Sequence, residues 1–479
     1  MATTNGNRKI LDLKRWEMVT PAPQATAAAH FIVSSRHHRQ QQMLVSSATV
    51  AQFYNPNEDG WVLLPSPALA GTFAAGACGT GTAIGPSGTA TGGTTSTIVT
   101  NLTLARSLSG YSIHITGGPN AGVTLLIVSN TIGASATITV EAQASAFTAS
   151  TTYRLLTPRW YILNAITAAG TTTANVFKFY DFATNTWTAA ETGATDGIAP
   201  AAVIGTDGRL VATPSWVDDE YKAFATGTAT AGGASTLTNS AKNWTTNQWA
   251  NYQVRIVSGT GAGQIRTIAS NTATVITTSA AWTTQPDNTS VYSIEGNDDF
   301  IYYMGSNAVT LYRYSISGGS WSTLSPGVAR GAAPGVGMSG QWIHSVSDSQ
   351  WTGENAILNG KYIYSFRGAA GALLDRYDIA ANTWSAVSYA PAAETFTTGS
   401  KWVYMKDAIY AQKENTGRWF RFDIAGHKMD GWSTMLYPQG AAVLGDTAFD
   451  ITYKDGATEI DYIYMVLNTS AIHLRQMVI

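Results

Sequence analysis

The sequence predicts an all-β chain: six four-stranded antiparallel units closed into a ring, with two related small β domains inserted in neighbouring units. Three observations carry that expectation. An aromatic residue, a short polar turn and a tryptophan recur at a spacing of seven, as Tyr54/Trp61, Tyr180/Trp187, Tyr314/Trp321 and Tyr377/Trp384, with a stretched version at Phe422/Trp432. A sixth tryptophan, Trp16, leads a similar strand near the start of the sequence with no aromatic–turn unit before it. Finally, 126 residues separate Trp61 from Trp187 and 134 separate Trp187 from Trp321, against 45 to 63 elsewhere, and both surpluses contain the same kind of segment. Self-similarity at a fixed period is the signature of a repeat architecture.

In chain order, residues 1–27 supply the lone strand Trp16-Glu-Met-Val-Thr-Pro21. Residues 28–66 hold one complete unit: His30-Phe-Ile-Val33, Met43-Leu-Val45, Val50-Ala-Gln-Phe-Tyr54 and the Trp61 strand. Period-two alternation bounded by Asn, Asp, Gly and Pro reads as an antiparallel meander, with Asn55–Gly60 as its outer turn. The order returns at Trp160-Tyr-Ile-Leu163, Val176–Tyr180 and Trp187, then at Phe300–Tyr303, Leu311–Tyr314 and Trp321. It returns again at Tyr362–Phe366, Leu374–Tyr377 and Trp384, and at Ala408–Tyr410, Trp419–Phe422 and Trp432. The sixth unit has Asp461–Met465 and Ile472–Arg475 but reaches Ile479 without a fourth strand. The Trp16 strand is what it lacks, and adding it leaves no open sheet edge.

These units resemble the kelch type of β-propeller, in which a Tyr and a Trp about seven residues apart mark the last two strands of a blade. The resemblance implies a six-bladed β-propeller closed by the N-terminal strand. It covers the repeated units, not the surplus segments. The glycine doublet expected after the second strand is missing, and Arg367-Gly-Ala-Ala-Gly371 is the nearest thing to it.

The first surplus segment runs from Gly88 through Tyr111-Ser-Ile-His-Ile115 and Pro119-Asn-Ala-Gly122 to Tyr153; the second runs from Gly227 through Tyr252-Gln-Val-Arg-Ile256 and Thr260-Gly-Ala-Gly263 to Tyr292. Each is expected to be a small antiparallel barrel or sandwich, placed after the first and before the second strand of its unit. The expected domains are 1–70 (closing strand and first blade), 71–155 (first insertion), 156–226 (propeller), 227–295 (second insertion) and 296–479 (propeller). Equivalent loops open on one face, so the two insertions should project side by side.

Bulk properties narrow the function. Of 479 residues only 12% are charged and the net charge is −2, which gives no electrostatic footprint for nucleic acid or an anionic membrane. So little charge suits a surface covered by partner subunits. The single cysteine, Cys78, forms no internal disulfide. No apolar signal segment or 18-residue apolar run is found, so synthesis in a host cytoplasm and no membrane span are expected.

The candidate sites have plain structural readings. Arg313, Arg376 and Arg421 precede the third-strand aromatics and are expected to pair with the turn aspartate of a neighbouring unit rather than bind an anion. Arg36-His37-His38-Arg39 offers two ligands pointing opposite ways, and reads as a solvated hairpin tip. Gly259-Thr-Gly-Ala-Gly263 lacks the Lys-Ser/Thr of a phosphate loop and reads as a turn. Asn101, Asn243, Asn288 and Asn468 head glycosylation sequons without a secretory signal. With Cys78 at the edge of an insertion, and no sialidase-type turns or paired carboxylates, the chain is expected not to be an enzyme, and to need neither cofactor nor metal.

The run Arg255-Ile-Val-Ser-Gly-Thr-Gly-Ala-Gly-Gln-Ile-Arg-Thr-Ile-Ala-Ser-Asn-Thr272 is similar to modules in structural proteins of tailed bacteriophages. That resemblance implies a virion structural protein of the tail, nozzle, neck or head surface, a rigid scaffold touching copies of itself and other virion proteins. The alternative is a glycan- or receptor-binding propeller, with Trp351, Trp244 and Trp249 exposed to stack on host-surface sugars.

Overall fold

The computed structural model describes residues 16–21, 31–34, 42–45, 47, 49–55, 58–69, 78–166, 174–190, 209–213, 216–217, 220–221, 223–304, 309–330, 340–342, 362–366, 373–388, 401–405, 408–413, 416–423, 428–434, 447–455, 458–466 and 473–478. Every regular element among them is a β-strand. The strands form six four-stranded sheets, two seven-stranded sheets and one two-stranded ribbon.

Alternating apolar residues put one strand of each repeat beside the next. The first sheet is Phe31–Ser34, Gln42–Val45, Ala51–Asn55 and Gly60–Leu63, paired in sequence order. The second is Cys78–Thr82, Arg159–Ile166, Ala174–Asp181 and Thr186–Ala189. The third is Arg209–Ala212, Phe300–Met304, Leu311–Ser315 and Ser320–Leu324. The fourth is Gly340–Trp342, Tyr362–Phe366, Leu373–Asp378 and Thr383–Ser388, and the fifth Lys401–Met405, Ala408–Gln412, Arg418–Asp423 and Lys428–Thr434. The sixth joins Thr447–Asp455, Thr458–Val466 and His473–Val478 to Glu17–Val19, with Glu17 opposite Arg475 and Val19 opposite His473.

The leading strands pack in a cycle: 31–34 on 78–82, 78–82 on 209–212, then 340–342, 401–405, 447–455 and back to 31–34. The apolar cores lie between successive sheets. Tyr161, Leu163 and Phe177 of the second sheet meet Leu210, Ile301 and Tyr303 of the third. Tyr302 and Leu311 of the third meet Ile363, Tyr377 and Trp384 of the fourth. Val19 and Tyr464 of the sixth meet Tyr54 of the first. Each fully buried aromatic of this kind contributes on the order of 3 kcal/mol of transfer free energy.

Two sheets stand apart from this pattern. Between Cys78–Thr82 and Arg159–Ile166 the chain builds a seven-stranded sheet in the order Ser87–Thr89, Thr152–Leu156, Ser112–Gly117, Thr124–Asn130, Thr137–Val140, Thr97–Val99, Gly92–Gly93. Between Arg209–Ala212 and Phe300–Met304 it builds an equivalent one: Ala223–Thr228, Val291–Glu295, Gln253–Ser258, Ile265–Asn271, Val275–Thr278, Thr236–Thr238, Ala231–Gly233. Even the irregularities repeat, with a register shift at Ile127/Ser129 in the first module and at Ile268/Ser270 in the second.

Two expectations change. No sheet among the described residues closes on itself, so of the expected barrel or sandwich the closed barrel is what does not form, and each module is an open run of seven strands. Cys78 is not at the edge of an insertion. It begins the leading strand of the second sheet, opposite Leu163, and is buried. Cys78-Gly-Thr-Gly-Thr82 has a loop's composition, but a neighbouring strand pairs with it and leading strands pack on either side.

Candidate functional site

The recurring aromatic–turn–Trp unit is a packing device with a fixed geometry. Tyr54 faces Trp61, Tyr180 faces Trp187, Tyr314 faces Trp321 and Tyr377 faces Trp384 across the last two strands. The ring centroids are 5.2, 5.3, 5.3 and 5.2 Å apart. Five residues after each Tyr the backbone turns left-handed, at Asp59, Asn185, Gly319 and Asn382, with φ between 46° and 58°. Asn and Asp tolerate that region because their short side chains bond locally, and Gly has no Cβ to strain. The Tyr hydroxyl donates to that side chain, at 2.7 Å to Asp59, 2.5 Å to Asn185 and 2.8 Å to Asn382. Where glycine removes the acceptor, Tyr314 donates instead to the Ala190 carbonyl of the second sheet. Burial pushes the Tyr180 phenol up to about 12, against a lowering influence from Arg106.

The tryptophans link sheets. Trp61 Nε1 donates to the Thr20 carbonyl (3.0 Å) and Trp187 Nε1 to the Pro65 carbonyl (2.8 Å). Trp321 packs on Phe177 of the second sheet, and Trp16 on Trp419 of the fifth, at 5.0 and 5.2 Å.

For Arg313 and Arg421 the contacts that form are not with the turn aspartate of a neighbouring unit. Arg313 donates to Asn251 of the second module (2.7 Å) and lies over Phe300. Arg376 lies over Tyr362, and Arg421 sits 3.7 Å from Asp423 of its own strand. Trp244 and Trp249, named as exposed sugar platforms, are 4% and 0% exposed and pack edge-to-face inside the second module. Arg36–Arg39, Arg367–Gly371, Trp351 and Asn468 lie outside the described residues. Asn101 accepts the Tyr153 hydroxyl at 2.8 Å.

Gly259–Gly263 is a turn, as expected, but its glycines also serve a contact the sequence did not reveal. Gly263 sits against the Thr116 carbonyl of the first module, and Gly122 against the Val257 carbonyl of the second. The two modules therefore meet, and charge is buried where they do. Arg255 grips Glu295 through Nε at 2.9 Å and Nη2 at 2.6 Å, with Glu295 fully buried. Arg154 of the first module lies 3.6 Å from Asp298, which follows the second. His114 is fully buried, its Nδ1 3.0 Å from Thr124 Oγ1. Burial first, then Arg255 and Arg154, hold the His114 imidazole down to about 3, so it is neutral at ordinary pH. Desolvation raises the Glu295 carboxyl, opposed by Arg255.

Among the described residues no three His, Cys, Asp or Glu side chains stand together to hold a metal. A hollow of about 10 Å³, lined by Thr213, Asn251, Tyr252, Asn297, Tyr302 and Ile379, lies where the second module meets the third and fourth sheets. That is below the size of a usual small-molecule site, about 300–1,000 Å³. No helix of the described residues is long and apolar enough to cross a membrane.

No protein-family description matches the sequence, and no curated protein does. Solved structures of similar shape are distant. A fungal lectin from Aleuria aurantia, a six-bladed β-propeller that recognises fucose, is 9% identical over 96% of this chain and 97% of its own, with a TM-score of 0.33. An α-L-arabinofuranosidase from Fusarium graminearum is 6% identical over 98% and 97%, with a TM-score of 0.38. A sialidase from Streptococcus pneumoniae is 8% identical over 95% and 83%, with a TM-score of 0.28. The cycle of leading strands, each heading its own sheet, defines the arrangement. It is a β-propeller. The expectation that the chain is not an enzyme does not stand, because propellers of this general shape include an arabinofuranosidase and a sialidase.

Proposed function

We propose that the chain is a structural component of a tailed-phage virion, a rigid scaffold for contacts with copies of itself and with other virion proteins. In this reading the six four-stranded sheets are the blades of one six-bladed propeller sealed by Glu17–Val19, and the two seven-stranded modules, 87–156 and 223–295, are its two inserted domains, with Cys78–Thr82 returned from the expected first insertion to a blade. The propeller is the frame and the modules are what it presents.

One observation carries the reading. The large aromatic side chains are spent on internal packing, while the apolar side chains left in water are Met18, Val62 and Leu63 on outer strands of the sixth and first sheets, Leu126 and Val128 on the middle strand of the first module, and Ile132, Val309 and Val328 in loops. Leu126, Val128 and Ile132 of the first module are 61%, 55% and 67% exposed, and Thr267, Ala269 and Ala273 occupy the equivalent places in the second. Met18 and Leu63, on the outer strands of the sixth and first sheets, are 55% and 63% exposed. Exposed apolar side chains as close in the chain as Leu126, Val128 and Ile132 suit protein contacts better than water. Two of the three tryptophans that the sugar-binding alternative relied on are buried, which weakens it.

Electron microscopy of the purified protein, and of particles carrying it, tests the reading. Rings or incorporation into particles, lost in a Leu126→Glu/Val128→Glu double variant that still folds, are the expected result. A monodisperse monomer that binds arrayed glycans and never co-assembles would overturn it.

A further inference from the structure

We propose that the two seven-stranded modules are locked to each other as an internal pseudo-twofold pair, and that protonation of His114 releases the lock.

The lock rests on reciprocity. A single offset relates the middle of the two modules, taking Tyr111 to Tyr252, Ile115 to Ile256, Thr116 to Val257 and Gly122 to Gly263. A Cβ added at Gly122 would lie 2.2 Å from the Val257 carbonyl oxygen and 3.4 Å from the Ala262 Cβ. A Cβ added at Gly263 would lie 2.6 Å from the Thr116 carbonyl oxygen and 3.1 Å from that of Ile115. Each glycine turn therefore touches, on the other module, the residue equivalent to the one its own module offers back. That is the isologous pattern of a symmetric dimer, here formed within one chain. Both glycines have left-handed φ, +93° and +87°, so the close approach and the backbone both need glycine.

The release follows from what lies two residues before Thr116 and Val257. His114 precedes Ile115, and Arg255 precedes Ile256. His114 faces Thr124 and Arg154 across its two neighbouring strands, and feels Arg255 from the other module. Arg255 is held by Glu295, and Arg154 lies beside Asp298. Those four charges balance. A proton on His114 adds a third cation, while both carboxylates are engaged by arginines. Separating the modules lets water reach the imidazolium. The low proton affinity of the buried ring, about 3 against 6.5 when free, agrees with this geometry. Opening then becomes up to tenfold easier for each pH unit below about 6.5, until the closed form also protonates.

The test uses the whole chain, with spin labels at Ala144→Cys in the first module and Asn288→Cys in the second, both exposed positions, and Cys78 left buried. Double electron–electron resonance should give one narrow distance at pH 7.5 and a longer, broader one at pH 4.5. His114→Gln should stay narrow at pH 4.5. Gly122→Val should broaden the distance at pH 7.5, by wedging a side chain into the Val257 carbonyl. Gly133→Val, also at left-handed φ (+113°) but with open space where its Cβ would go, should not. An unchanged distance at pH 4.5 in the parent, or one that lengthens equally in His114→Gln, would overturn the release. Identical distributions for the parent and Gly122→Val would overturn the lock.

Discussion

At Asn382 three demands meet in one side chain. Its backbone is left-handed (φ 50°), its Oδ1 accepts the Tyr377 hydroxyl, and its Nδ2 donates to the Ser325 carbonyl of the third sheet's exit loop. Asn382→Ala removes both bonds and keeps the strained backbone. The expected loss is about 1–3 kcal/mol, read as a lower urea midpoint at unchanged slope. His114 makes a prediction of opposite origin. Its folded proton affinity is depressed, so its contribution is fully present above about pH 6.5 and is lost as pH falls toward about 3. Between those limits the parent should lose up to about 1.4 kcal/mol per pH unit more than His114→Gln, measured by denaturant unfolding across pH 4–8. Taking the difference removes the opposing influence of Glu295, whose raised carboxyl favours the folded state in acid. The Tyr–Trp spacing was legible because two large side chains on paired strands leave a strong pattern. The left-handed residue five places after each Tyr is Asp, Asn, Gly and Asn in turn, types common to any polar turn, so its conformation leaves a weaker mark. His114 left no such trace, since nothing in a lone His shows which cations will face it.

Among the elements, the loop leaving the third sheet carries one heavily invested contact. Gly327 N donates to the Asn382 carbonyl and Trp384 N to the Val328 carbonyl, so the loop runs along the outer strand of the fourth sheet. Arg330 then turns inward, placing Nε 2.6 Å from Asp375 Oδ2 with both side chains 1% exposed, and its guanidinium 5.2 Å from the Trp384 ring. Removing one partner of such a pair strands the other charge in a dry site. Asp375→Ala should therefore cost about 3–5 kcal/mol in denaturant unfolding. Lys428→Ala, which breaks the solvent-exposed pair with Asp430 (3.1 Å), should change stability by less than about 1 kcal/mol. The same contrast explains which strands the sequence hid. Outer strands announce themselves by a leading Trp. Leading strands such as Cys78–Thr82 and Arg209–Ala212 are short and have no aromatic marker, and their neighbours on both sides, not their composition, make them strands.

For the whole molecule, the decisive seam is the one between the sixth and first sheets. Glu17–Val19 pairs with His473–Arg475, Trp16 packs on Trp419 of the fifth sheet, and the Thr20 carbonyl receives the Trp61 indole of the first. The Thr20 amide also donates to Asp59, at 3.0 Å, the residue that accepts the Tyr54 hydroxyl. Five residues, Trp16 to Thr20, thus tie three sheets, and the leading strands 447–455 and 31–34 close the cycle on the inner side. Removing residues 1–20 takes away the outer pairing of the sixth sheet and bares the edge of His473–Val478, a template for pairing with other chains. Loss of a packed tryptophan alone costs about 3–5 kcal/mol. The truncated protein should therefore melt several degrees lower by calorimetry and aggregate with increasing concentration. Adding back a peptide spanning residues 14–22 should restore part of the loss, because the site for it is otherwise built. Truncated and intact proteins that melt alike would mean that the sixth sheet is complete without Glu17–Val19 and that the ring holds by its inner contacts alone.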